Sequence, residues 1–294
     1  MIAYNHYIKL LPELNHLKSV DGSFSEVITV QENSLVDRVE KLSYKMTFFN
    51  NQVRDIVLYT DRPFMRTSVD QRWCFDVEGV VTFYWTSSEF TIEYVKAENF
   101  TSQLLAYWIL HVVLPIFLTI EEHCYFLHAG AVEIDEKPVL FVAESFGGKS
   151  TMTDFFIKQG HVMVSDDKVS IIENNGNFLA IPSHPHHRPY RKMEDLGIFV
   201  NNMSNKPKPI QAIYELIRVS PDAPIVIYET EGIEKFKSLR FSSEINLSFL
   251  KKERLADLGR LAEKVPVYKV EVPWDLKRLE EVYASITNHC RALK

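Results

Sequence analysis

The sequence predicts a mixed α/β fold whose first hundred residues are β-rich. Short β-branched and aromatic runs precede residue 100, and an apolar strand, PVLFVA (138–143), then leads into a Gly-Lys-Ser turn and a helix. Near the C-terminus, LKKERLADLGRLAEKV (250–265) and DLKRLEEVYASITNHC (275–290) have helical spacing with charged outer faces.

The N-terminal runs are EVITV (26–30), YKMTFF (44–49), VRDIVLYT (53–60), VVTFYW (80–85) and FTIEYV (90–95). Turn residues such as Asn50-Asn51 and Ser87-Ser88 separate them, so a small, mostly antiparallel sheet is expected over 1–100. The stretch LLAYWILHVVLPIFLTI (104–120) is almost wholly apolar. Its 17 residues are at the short limit for a membrane span, and His111 and Pro115 interrupt it, so a buried core helix is expected instead. YFLHAGAVEI (125–134) and PVLFVA flank the polar turn Asp135-Glu136-Lys137 as a hairpin. A helix from about Lys149 to Gln159 is closed by Gly160. VMVS (162–165) and KVSIIE (168–173) bracket Asp166-Asp167, and QAIYELIRV (211–219) and PIVIYE (224–229) read as paired strands.

Composition narrows the function. The chain has 294 residues, 46% hydrophobic and 24% charged, an ordinary globular balance. A formal charge of −6 argues against nucleic acid as a partner, because neutralising phosphates takes a surplus of Lys and Arg. The three cysteines, Cys74, Cys124 and Cys290, fit neither a disulfide framework nor a metal knuckle. With no signal-peptide pattern at the start, a cytoplasmic protein is expected.

The chemistry gathers around SFGGKST, Ser145 to Thr151. A phosphate cradle needs backbone N–H groups pointing inward, glycines that admit the phosphates, and a helix whose first turn faces the anion. It also needs a Lys for the terminal phosphates and a Ser or Thr hydroxyl for Mg²⁺. Gly147, Gly148, Lys149 and Ser150 supply these, while Ala143 and Phe146 stand where such loops carry glycine. Gly147 is expected to absorb any demand for positive φ near Phe146. Asp166 lies seventeen residues after Lys149, with Asp167 beside it at the end of an apolar strand. Paired acids there can hold Mg²⁺ or take a proton from an attacking hydroxyl; the plain alternative is an Asp-Asp turn. Adjacent strand residues point to opposite faces, and Asp166 is favoured as base, Asp167 as a metal ligand or loop-orienting group. His128, beside the small residues Ala129 and Gly130, is either a satisfied core residue or a site residue.

The stretch LHAGAVEIDEKPVLFVAESFGGKSTMTDFFIKQGHVMVSDDKVSII, 46 residues from Leu127 to Ile172, resembles the C-terminal catalytic domain of bacterial HPr kinase/phosphorylase. VPVYKVEVPWDLKRLEEVYASI and IPSHPHHRPYRKMEDLG are similar to a smaller branch of HPr-kinase-like proteins, some of which accompany peptide or cell-surface biosynthesis. The resemblance implies a P-loop kinase domain over 101–294, related to phosphoenolpyruvate carboxykinase, that uses ATP and Mg²⁺ to phosphorylate a serine hydroxyl. It places Ser145, Gly147, Gly148, Lys149, Ser150 and Thr151 on the nucleotide loop, Asp166 and Asp167 on the acid pair, and His128 on the active-site histidine. Of the family's Glu-x-Arg-Gly-Leu-Gly-Ile signature only Leu196-Gly197-Ile198 remains, so no phosphorylase activity is implied. The N-terminal hundred residues do not read as the HPr enzyme's regulatory domain.

Arg188, with Arg191 or Lys192, either clamps a transferring phosphoryl group or sits in a solvated loop. Arg240 is a second candidate phosphate contact, and His184, His186 and His187 make a poor metal set, broken by Pro185. The expectation is an ATP-dependent kinase acting on a hydroxyl, first a serine of a peptide or protein and otherwise a sugar or other small alcohol. A nucleotide-binding scaffold without turnover is the alternative, and a homo-oligomer is compatible with either.

Overall fold

The computed structural model describes every residue except 10–13, 15–16, 20, 23, 34–41, 49–53, 66–68, 122–123, 191 and 294. The expected Asn50-Asn51 turn and Arg191 therefore lie outside the described residues.

The N-terminal strands form one eight-stranded sheet. From Tyr44–Phe48 through Ile56–Thr60, Arg72–Val77, Val81–Thr86 and Thr91–Lys96 it is antiparallel, as alternation predicts. The strand Glu26–Glu32 departs from that pattern and runs parallel to both neighbours, His6–Lys9 and Thr91–Lys96. Parallel neighbours need long connections, and the sixteen residues between Lys9 and Glu26 supply one.

The apolar segment is a helix of three parts, Ser102–Trp108, a π turn Ile109–Val113, and Leu114–Glu121. Thr101 caps it, its hydroxyl accepting the Leu104 amide at 3.1 Å. It is long and apolar enough to cross a membrane, yet 83% of its most apolar window is buried in the protein. Trp108, Leu110, Leu114 and Phe117 share one core with Trp73, Phe83, Trp85 and Ile92 of the N-terminal sheet, so this core crosses residue 100.

Pro115 explains the π turn. Proline has no N–H to donate to residue i−4 and its ring crowds that carbonyl. The carbonyl in question belongs to His111, and the Lys168 ammonium donates to it at 2.7 Å. The interrupted helix is thereby tied to the residue that follows the acid pair.

The rest of the chain is built on a six-stranded sheet. In spatial order its strands are Val162–Ser165, Gly130–Ile134, Lys137–Val142, Ala212–Val219, Val267–Pro273 and Val226–Glu229. Lys137–Val142, Ala212–Val219 and Val267–Pro273 run parallel. The helices Lys149–Lys158 and Leu279–Ala292 cover one face through Met152, Phe156, Val282 and Ile286. The other face packs on a four-stranded sheet and on Leu239, Leu258 and Leu261 of the helices Gly232–Phe241 and Lys251–Lys264.

Two strand expectations need correction, those for 125–134 and for the pairing of 211–219 with 224–229. Residues 125–134 are two strands, Tyr125–Leu127 and Gly130–Ile134, in different sheets; they part at His128, whose amide donates to the Ser242 carbonyl at 2.6 Å. Val162–Ser165 and Val169–Asn174 are likewise divided between the two sheets at Asp166-Asp167. Ala212–Val219 does not pair with Val226–Glu229, because Val267–Pro273 lies between them. That strand is the more buried and takes the inner place, leaving the largely exposed 226–229 at the edge.

Candidate active site

The loop follows the parallel strand Lys137–Val142 and opens the helix Lys149–Lys158. Gly148 caps this helix at φ 94°, the left-handed region that favours glycine. Gly147 is required by packing: a Cβ there would stand 2.7 Å from the Ala143 Cβ and 2.8 Å from the Glu144 carbonyl oxygen. It does not absorb the positive φ. Phe146 itself adopts φ 61°, with its side chain 77% exposed. For a bulky residue this conformation costs about 1–2 kcal/mol.

Arg218 stabilises the strained turn. It donates from Nη2 to the Phe146 carbonyl at 2.8 Å, and its guanidinium lies 3.2 Å over the Trp274 ring. Lys149 is buried, its ammonium turned into the loop and donating to the Ala143 carbonyl at 2.9 Å. Ser145 and Thr151 are exposed and Ser150 is half-buried. Against Gly147, Gly148 and Thr151 opens a cavity of about 300 Å³, lined also by Met152, Val272, Trp274, Asp275 and Leu276. An apolar, aromatic-walled cavity beside a helix start suits a planar base joined to phosphates.

The backbone turns between the two acids, Asp167 taking φ 68°. Their side chains consequently enter different environments. Asp166 is buried; its Oδ2 accepts the Arg188 amide at 2.6 Å and lies 3.1 Å from His187 Nδ1, in an ion contact too oblique for a directed hydrogen bond. The other ring nitrogen of His187, Nε2, is 3.3 Å from Asp154 Oδ1 on the loop helix. Burial opposes charge on His187, but Asp166 and Asp154 outweigh it and raise the ring's pKa. Asp154, His187 and Asp166 thus join the loop helix to the end of the acid strand.

Asp167 is partly open and faces His128, with Oδ1 3.3 Å from Nδ1. Glu244 Oε2 stands 3.9 Å from the same nitrogen, and its Oε1 is 3.9 Å from Lys168 Nζ. Among the described residues, the histidine run included, no cluster of three His, Cys, Asp or Glu side chains is arranged to hold a metal ion. Within the run His184 packs as a core residue: the His111 and His184 rings meet at 4.3 Å and both are buried.

Arg188 is not a freely solvated side chain. Its guanidinium lies 5.4 Å over the Tyr107 ring, Nη2 donates to the Lys192 carbonyl at 3.2 Å, and Nε is shielded without a hydrogen-bond partner among the described residues. Lys192 points to solvent and pairs with Asp195 at 3.5 Å. Glu194, from the degenerate signature, accepts from Arg54 Nε at 2.6 Å and Trp108 Nε1 at 3.0 Å, stapling this segment to the N-terminal part. Arg240 lies elsewhere, in a separate cationic pocket.

Sequence reasoning missed Tyr107, Asp154, Arg218, Glu244 and Trp274 as neighbours of this site. Apart from Asp154, five residues beyond Lys149, they are distant in sequence, and no local motif marks them. Only the Pro115 interruption of an apolar helix hinted that this helix meets something polar.

No family model matches the chain, and no curated protein matches it. Among solved structures it is similar to the HPr(Ser) kinase/phosphatase from Coxiella burnetii, at 17% identity and a TM-score of 0.36, over 56% of this chain and 95% of that one. This is a distant structural likeness that carries no chemistry to the present chain.

Proposed function

We propose that the chain is an ATP-dependent kinase of the P-loop type that transfers the γ-phosphate to a hydroxyl, specifically a serine of a peptide or protein. The observation that carries this reading is the Asp154–His187–Asp166 bridge, which brings the Lys149 loop and the acid pair to one end of the sheet. In phosphoryl transfer, positioning and charge balance do most of the work.

The loop amides and Lys149 would hold the triphosphate, and the Trp274 cavity the base. Ser150 is the residue that would hold Mg²⁺, which supplies charge neutralisation on the phosphates when bound. Arg188, held over Tyr107, would meet the equatorial oxygens of the moving phosphoryl group. We assign proton acceptance to Asp167 rather than Asp166. Asp167 is open, with His128 beside it to share the proton, whereas Asp166 is enclosed by the Arg188 amide and His187. Asp166 then acts as a positioning residue.

The acceptor is tested by incubating the protein with Mg²⁺, γ-labelled ATP and the products of neighbouring genes, and mapping the label by mass spectrometry. Label on a serine is expected. Label on a sugar or other alcohol, with every polypeptide unmodified, moves the assignment to a small-molecule kinase. ATP left unconsumed makes the chain a nucleotide-binding scaffold.

A further inference from the structure

Behind the segment that carries Glu244 lies a second pocket, of about 440 Å³, lined by Lys237, Arg240, Arg254, Ser243, Asn246 and Phe241. Three lining side chains are cations and none is a carboxylate. Arg254 Nε and Nη1 are shielded from solvent with no hydrogen-bond partner among the described residues. Burial first, and then the neighbouring Arg240, disfavour charge on this guanidinium. Nor does the helix call for the cation there. Arg254 sits in the first turn of Lys251–Lys264, the positive end of the helix dipole. Acids on the surrounding elements have other partners: Glu234 pairs with Lys237, and Glu173 and Asp257 pair with Arg260.

The pocket adjoins the candidate active site. Ser243 bridges to Leu127, the next residue, Glu244, approaches His128 Nδ1 to 3.9 Å, and the Ser242 carbonyl holds the His128 amide. We infer that the Lys237–Arg240–Arg254 pocket binds an anionic group, carboxylate or phosphate, carried by the acceptor whose hydroxyl is presented to His128 and Asp167. Forked guanidinium donors match the planar or tetrahedral oxygens of such a group. Phe241 and Asn246 give it an apolar wall and a polar one. The inference rests on the kinase reading for the identity of the bound molecule, but not for the presence of the anion site.

Inorganic phosphate is the probe for the site itself, titrated into the Lys149→Ala protein so that the loop does not contribute. Binding that weakens as salt rises, and at least tenfold further with Arg254→Gln or with Arg240→Gln, is expected. Arg240 is exposed, so its variant keeps the test valid if Arg254→Gln folds poorly. Phosphate affinity unchanged by both substitutions overturns the site whether or not the protein is a kinase. The second arm uses serine peptides with and without a neighbouring Glu. Arg240→Gln should raise KM at least tenfold for the acidic peptide only, with kcat unchanged. An equal response of both peptides overturns the acceptor assignment and leaves free phosphate as the ligand.

Discussion

His128 Nδ1 stands 3.3 Å from Asp167 Oδ1, while Asp166, one residue earlier, is turned into a buried contact with His187. The positive φ of Asp167 makes this division possible, since in an extended strand the two side chains would leave on opposite faces of one sheet. The two carboxylates therefore have separable effects.

Asp167→Asn should lower kcat by about 10²–10⁴-fold, the usual contribution of a positioned base, with ATP affinity nearly unchanged. Asp166→Asn should lower stability by about 1–3 kcal/mol, the cost of weakening a buried polar contact. Rate assays and urea unfolding on both variants check this. A wild-type rate for Asp167→Asn together with a lost rate for Asp166→Asn returns the base to Asp166.

Phe146→Gly should stabilise the protein by up to about 1 kcal/mol. The strain of a bulky residue at positive φ is relieved, and part of the gain is offset by the added freedom of glycine in the unfolded chain. An exposed Phe146 side chain has little packing to lose. A lower unfolding midpoint would show that the ring makes a contact of its own.

Trp274→Ala should weaken ATP binding by about 10–100-fold, since base–aromatic stacking contributes about 1–3 kcal/mol. Tripolyphosphate, which has no base, should bind this variant as it binds the wild type. Equal losses for both ligands would mean that Trp274 acts only through Arg218 and the loop.

Stability should fall on acidification. Burial pushes the pKa values of His111 and His184 down, and that of His186 to about 4. These rings stay neutral in the folded protein while the unfolded chain takes up protons below about 6.5, so stability is lost as pH drops through that range. His187 has the opposite sign: its raised pKa gives stability that is present below about 6.5 and is lost as pH rises through the folded value. The three outnumber the one, so urea unfolding at pH 5 should give a lower free energy than at pH 7. His187→Asn should abolish that loss on raising the pH.

The loop was legible because its residues are contiguous and each type has a local reason. The Asp-Asp strand end was legible from spacing. Which acid faces the open side was not, because that depends on one φ angle at Asp167. Trp274 and Arg218 reach the loop only because the parallel strands Ala212–Val219 and Val267–Pro273 end beside it. That pairing was hidden while 211–219 was read as the partner of 224–229. Tyr107 and His111 looked like core residues of an apolar helix, as most of their neighbours are, and local periodicity gives no sign of the Lys168 contact at Pro115's broken turn.

The central claim, a nucleotide loop that works despite Phe146, is tested most directly by titrating MgATP into the wild-type protein and the Lys149→Ala variant in a calorimeter. The account predicts one-to-one binding in the wild type and its loss, or weakening by at least tenfold, in the variant. No heat of binding in the wild type at millimolar ATP, or identical binding in both proteins, would contradict it.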